Sequence, residues 1–210
     1  MEIHAPEGPI VSGRHLAVQL ATITMGVLIA LSLEGVTAWF HHRALVREAR
    51  ANIVSEIADN KKELDGVLAK VPESEQNLRR AMQFVTDLLT RKRTDIHSLT
   101  LGYAIAQLNM ASRSTAETTG ALGYMDYTEV KRYAAVYEEQ QQFLRLQDRL
   151  LEIWIPLLNA THEGDPERAN ERELLEWKER ILTCLSYLQT EASIGKSLSG
   201  EYAKILSAPR

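Results

Sequence analysis

The run LAVQLATITMGVLIALSLEGVTAWF at positions 16–40 decides the fold class, because no other window of the chain lacks charge for so long. Between Leu16 and Leu33 there is no ionisable side chain, while Arg14 precedes the run and His41, His42 and Arg43 follow it. A hydrocarbon core of roughly 30 Å needs about 20 helical residues at 1.5 Å each, and this run supplies them. It therefore reads as one membrane-spanning helix, 16–40, in contact with the lipid bilayer.

One residue of the span is out of place. Glu34 lies one to two turns inside its end, where an ionised carboxylate facing lipid costs about 2.5 to 3.5 kcal/mol. Steps of four through it give Thr22, Gly26, Ala30, Glu34 and Ala38, a stripe of small residues with the acid among them. Residues four apart stack on one helix face, so this face lets a second helix approach closely. Leu28 lies most nearly opposite, and Ile29, Leu31 and Leu33 around it suit lipid. Two readings of Glu34 stay open: it snorkels toward the headgroups beside Trp39, or it faces a helix contact or a water-filled seam. With a single span, the simplest partner for such a contact is a second copy, and another membrane protein is the alternative. Trp39, His41, His42 and Arg43 form the interfacial group.

Before the span, MEIHAPEGPIVSGRH (1–15) carries Pro6, Gly8, Pro9 and Gly13 and reads as a short extended tail. Val36 and Ala38 imitate a signal-peptide cleavage site, but the apolar run exceeds the usual 7 to 15 residues and a Glu stands near the cut, so an uncleaved anchor is expected. Arg43, Arg47 and Arg50 against Arg14 lean toward a cytoplasmic C-terminal domain by the positive-inside rule.

The domain at 41–210 reads as helical. No breaker stands between Arg43 and Pro72 except Gly66, so the span is expected to continue as a stalk helix over 41–71. Ile53, Ile57, Asn60, Leu64, Val67 and Val71 keep the spacing of a heptad seam. A second helix is expected at 73–92 with Leu78, Ala81, Met82, Val85, Leu88 and Leu89 on one face. The least periodic stretch follows. Within it Ser114 and Glu117 have the form of a capping box for a short helix at 114–122, ended by Gly120 or Gly123, and Asp126 with Glu129 repeats that form. A long helix at 128–161 carries Val130, Tyr133, Tyr137, Leu144 and Leu151 on one seam and Phe143, Leu146, Leu150, Ile153 and Leu157 on the next, with Pro156 expected to kink it. Asp165–Pro166 then caps a last helix at 166–206, lined by Leu174, Ile181, Leu185, Leu188, Ala192, Gly195, Leu198, Tyr202 and Ile205. Together these predict an all-α protein, a transmembrane helix continuing into an antiparallel helical bundle.

The charge of −4 and the short basic clusters leave no nucleic-acid footprint. The single Cys184 excludes an intrachain disulfide and a cysteine metal site, and between Leu182 and Leu185 it reads as a buried thiol. His41 and His42 point about 100° apart on a helix and cannot share one ion. No hydrolase elbow, P-loop or dinucleotide fingerprint is present. The carboxylate pairs Glu138–Glu139 and Glu171/Glu173 read as solvated charge. Neither catalytic residues nor a cofactor or metal are expected.

The stretch GVLIALSLEGVTAWFHHRALVREARANIVSEI (26–57) resembles the opening of a broad group of uncharacterised bacterial single-pass membrane proteins, in which a G-x-L-I-A-L span leads to an acidic or amide residue, a Trp, a basic stretch and a long helix. STAETTGALGYMDYTEVKRYAAVY (114–137) is similar to their second recognisable region. The resemblance implies an anchored protein of the bacterial inner membrane and supplies no activity. Many of that group have strongly basic tails that place the domain in the periplasm; this tail departs from the pattern. The expected function is a non-enzymatic anchored protein that self-associates or serves as an accessory or scaffold subunit of a membrane complex. The alternative is an oligomeric pore or a ligand-sensing module using Glu34.

Overall fold

The structure is a computed structural model, which describes residues 13–92, 96, 99–163 and 169–208. It is all-α, with no strand among the described residues. Helix α1 runs over Gly13–Leu68, α2 over Val71–Leu89, α3 over Ala111–Thr118, α4 over Tyr127–Glu163 and α5 over Glu171–Ser207; a single 3-10 turn, Ala121–Tyr124, follows α3. The chain divides into two compact units, Met1–Glu48 and Ala49–Arg210.

The first unit holds the apolar part of α1. Among the described residues one helix is long and apolar enough to cross a membrane, and none of its apolar window is buried. Thr22, Ser32 and Thr37 return their hydroxyls to the backbone carbonyls of Val18, Leu28 and Glu34 at 2.7–2.9 Å, so these polar side chains are satisfied within the helix itself. α1 passes without a break through 40–53, as the uninterrupted pattern predicts.

In the second unit the heptad seam of α1 is the core seam. Ile53, Ile57, Asn60, Leu64 and Val67 are buried and Val71 is half-buried. The expected end of this helix at Val71 moves back to Leu68, and Pro72 falls in the first turn of α2 rather than between helices. A proline lacks the N–H needed to continue the ladder of the preceding helix, yet costs nothing in a first turn where that N–H would be unpaired. α2 then extends toward the N-terminal half of α5: Val71 and Ser74 line a small cavity with Leu188, Glu191 and Ala192, and Leu78, Ala81, Phe84 and Val85 pack in one cluster with Leu174, Ile181, Cys184 and Leu188.

The polar contacts give the helix directions. Arg50–Glu129, Glu56–Tyr137 and Asn60–Gln140 advance together, so α1 and α4 run parallel. Gln140–Tyr202 and the approach of Gly195 to Phe143 run in opposite senses, so α4 and α5 are antiparallel. Antiparallel packing of α4 on α5 was the expected arrangement. The parallel course of α1 and α4 requires the chain to return between them, and residues 99–110 do so in extended form.

Other helix ends also differ from expectation. α3 starts at Ala111, before Ser114, with no side-chain cap, and Ser114 lies inside the helix. α2 stops at Leu89, short of Lys92, because Arg91 takes φ 52° and the Lys92 N–H reaches back to the Asp87 carbonyl at 2.9 Å. α5 starts at Glu171, capped by Asn170 in a reciprocal box with Glu173; Asp165 and Pro166 lie outside the described residues. Asp126 does cap α4, accepting from the Thr128 and Glu129 N–H groups at 2.8 and 3.2 Å. Gly120, at φ 75°, ends α3 in the left-handed region that favours glycine.

Candidate functional site

Thr22, Gly26, Ala30 and Glu34 are exposed along α1, and Ala38 is half-buried. A methyl group added at Gly26 would meet nothing within 4 Å. The stripe is therefore a backbone-close surface presented outward, with the acid among apolar neighbours and no ion pair to it among the described residues. At the end of the apolar run the guanidinium of Arg43 sits 5.2 Å from the Trp39 ring centroid, and Trp39 packs edge-on to Phe40 at 4.9 Å. The rings of His41 and His42 are 6.1 Å apart. No group of three His, Cys, Asp or Glu side chains capable of holding a metal ion occurs among the described residues.

The second unit contains a polar seam that residue patterns alone did not single out. Asn60 donates to the Asn109 carbonyl and accepts from the Asn109 N–H, both at 2.8 Å. Gln147 treats Ala106 in the same way, at 2.8 and 3.1 Å. Each amide thus pairs with a backbone unit as a neighbouring β-strand would, and the extended return segment has its buried N–H and C=O groups satisfied without a strand partner. Glu56 accepts from the Ser112 N–H and from the Tyr137 hydroxyl, at 2.7 and 2.6 Å, and Ser74 donates to the Gly102 carbonyl. Gln140 completes the group, accepting from Asn60 and from Tyr202. Burial pushes the Tyr137 and Tyr202 hydroxyls above their ordinary range, so both stay protonated donors.

Tyr137 and Tyr202 fall on the expected seams, and among the acid and amide members only Asn60 carries a sequence signal, as the one polar member of a heptad seam. Gln140 and Gln147 stand seven residues apart in α4, which is the spacing that would have marked them. Glu191, only 3% exposed, sits four residues after Tyr187 in α5 and gave no warning.

A cavity of about 210 Å³ opens where α1, α4 and α5 meet, lined by Arg50, Val54, Glu129, Arg132, Tyr133 and Ile205 among others. Arg50 grips Glu129 with two hydrogen bonds, 2.6 and 2.7 Å, and Tyr133 donates to the same carboxylate at 2.9 Å. The Arg50 hydrogen bond holds the Glu129 carboxyl below its usual range. Burial, and then the bond to Glu129, push the Tyr133 hydroxyl up to about 12. Glu129 is thus committed to Arg50 and Tyr133, and no nucleophile with an adjacent base lines the cavity. Cys184 is buried, its thiol pushed up to about 11 by burial, so it is unreactive.

Compared with known proteins, the chain matches no family model, no curated protein and no solved structure.

Proposed function

We propose that the protein is a non-enzymatic, membrane-anchored helical protein of the bacterial inner membrane, whose span associates with that of a second copy through Thr22, Gly26, Ala30, Glu34 and Ala38, with the bundle in the cytoplasm. One observation carries this reading: the apolar stretch from Leu16 to Thr37 is exposed throughout along α1. An apolar surface of that length requires lipid, and its small-residue face and carboxylate favour a second helix over lipid alone. Between helices in lipid there is no hydrophobic drive, and close backbone contact plus a satisfied polar group remain, each polar contact contributing roughly 0.6 to 2 kcal/mol. The arginines 43, 47 and 50 support the cytoplasmic placement. The resemblance of 26–57 to bacterial single-pass proteins supports the inner-membrane anchor and not the side on which the bundle lies.

The test is the oligomeric mass of the full chain in mild detergent and in nanodiscs. The wild type runs as an oligomer, Gly26→Leu and Ala30→Leu shift it toward monomer by steric exclusion, and Leu28→Ile leaves it unchanged. A monomeric wild type in both media overturns self-association. Glu34→Gln keeps the hydrogen-bonding shape, so the oligomer persists; if liposomes containing the wild type conduct ions and those with Glu34→Gln do not, the assembly is a pore rather than a scaffold. High activity of an alkaline phosphatase fused to the C-terminus would move the bundle to the periplasm.

A further inference from the structure

The return segment 99–110 is fastened through the backbone of Gly102, Ala106 and Asn109, and Leu99, Leu101 and Tyr103 pack against the core. The ring of Tyr103 lies against Trp154, centroids 5.1 Å apart, and its hydroxyl donates to Glu191 Oε1 at 2.5 Å. Trp154 is 1% exposed, and its indole N–H has no hydrogen-bond partner among the described residues. Beside the Tyr103–Glu191 pair is a cavity of about 10 Å³, room for about one water, whose wall includes Lys70 from the turn between α1 and α2 and Ser74 from α2.

The charges around this pair are few. From the segment comes Tyr103 itself, from the α1–α2 turn the exposed Lys70, and from α4 Asp148, whose negative charge acts on Tyr103. On α5, Tyr187 stands one turn before Glu191 and bonds to Arg149 of α4. Among the described residues no cation lies within 4 Å of the Glu191 carboxylate. An ionised Glu191 would therefore have one hydroxyl donor and no counter-charge within 4 Å, which disfavours its charged form.

We propose that Tyr103 and Glu191 form a proton-operated latch: with Glu191 protonated the segment 99–110 is seated on α1 and α4, and loss of that proton favours a form in which the segment lifts and the carboxylate reaches water. Burial is the largest influence on Glu191 and pushes its carboxyl up to about 7, with the Tyr103 hydrogen bond acting in the opposite direction. In the lifted form the carboxyl returns to its ordinary value of 4.5. By linkage the lifted population rises about tenfold per pH unit between these values and levels off above the higher one.

Hydrogen exchange of the full chain in nanodiscs tests this. The readouts are the Ala106 and Asn109 amides, which are bonded to Gln147 and Asn60. After correction for intrinsic chemistry, their protection falls about tenfold per pH unit from pH 5 to near 7 and is flat above, while amides of α4 around Phe143 keep theirs. Glu191→Gln leaves the protection of Ala106 and Asn109 high and independent of pH, which also separates Glu191 from Glu56 and Glu63 beneath the same segment. Tyr103→Phe keeps the ring against Trp154 and removes the bond that lowers the Glu191 pKa, so the plateau begins at higher pH. Three results each overturn the latch: pH-independent protection in the wild type, a pH dependence that survives Glu191→Gln, or equal loss of protection in α4. An unchanged profile in Tyr103→Phe removes Tyr103 from it and overturns it as stated.

Discussion

Gly195 shows how a single residue sets the distance between helices. A methyl group placed there would lie 3.0 Å from Leu68 Cδ2 and 3.1 Å from Phe143 Cε2, and Phe143 is fully buried. Alanine favours a helix by about 1 kcal/mol over glycine, but overpacking a tight core costs about 1 to 3 kcal/mol. The steric term wins. Gly195→Ala is expected to lower stability by about 1 kcal/mol, whereas Gly200→Ala, five residues on in the same helix and with nothing within 4 Å, raises it by about 0.5 to 1 kcal/mol. Thermal unfolding of the two variants beside the wild type decides this, and equal shifts of the same sign would refute it.

At the scale of elements, the end of α2 carries strain that its sequence does not relieve. Arg91 holds φ 52°, among the described non-glycine residues the sole positive value, to close the turn in which Arg91 N–H meets the Leu88 carbonyl and Lys92 N–H meets the Asp87 carbonyl. A side chain with a Cβ pays roughly 1 kcal/mol for that conformation where glycine does not. Arg91 is exposed, so nothing packed is lost on truncation. Arg91→Gly should therefore raise the urea midpoint by an amount equivalent to about 0.5 to 1 kcal/mol, with the slope unchanged. A lower midpoint would mean that the Arg91 side chain contributes a contact worth more than the strain.

At the scale of the whole molecule, pH acts on the Glu129 and Glu191 carboxyls in opposite directions. Glu129 has a folded pKa below its unfolded value, so its bond to Arg50 contributes stability above the unfolded pKa of 4.5, lost as pH falls through the lower folded value. Glu191 has a folded pKa raised to about 7 from 4.5, so its contribution is fully present below 4.5 and is lost as pH rises to about 7. At 1.36 kcal/mol per unit, that loss is about 3 kcal/mol. Stability should accordingly peak in mildly acidic solution, and Glu191→Gln should flatten the decline toward neutrality while leaving the acid limb intact. Denaturant unfolding at half-unit steps from pH 4 to pH 8 provides the comparison, and a maximum above pH 7 in the wild type would contradict it.

What was legible from residues alone was whatever depends on periodicity. The uncharged run from Leu16 to Leu33 marks an apolar helix by length, and Ile53, Ile57, Asn60, Leu64 and Val67 mark a buried seam by spacing; both follow from the 3.6-residue turn and need no partner to be read. Leu174, Ile181, Leu188, Leu198 and Tyr202 are buried for the same reason. Only tertiary structure decided the rest. Gln140, Gln147 and Glu191 look like solvated helix positions until the segment 99–110 is laid across the bundle, because the burial of a polar side chain depends on a partner far away in sequence. The path of that segment has no period to reveal it, since its order comes from amides borrowed from α1 and α4 and not from a ladder of its own. The start of α5 at Glu171 likewise rests on the reciprocal box between Asn170 and Glu173, and α3 starts at Ala111 with no side-chain cap. Periodicity is a property of one helix; satisfying a buried polar group is a property of the pair that meets.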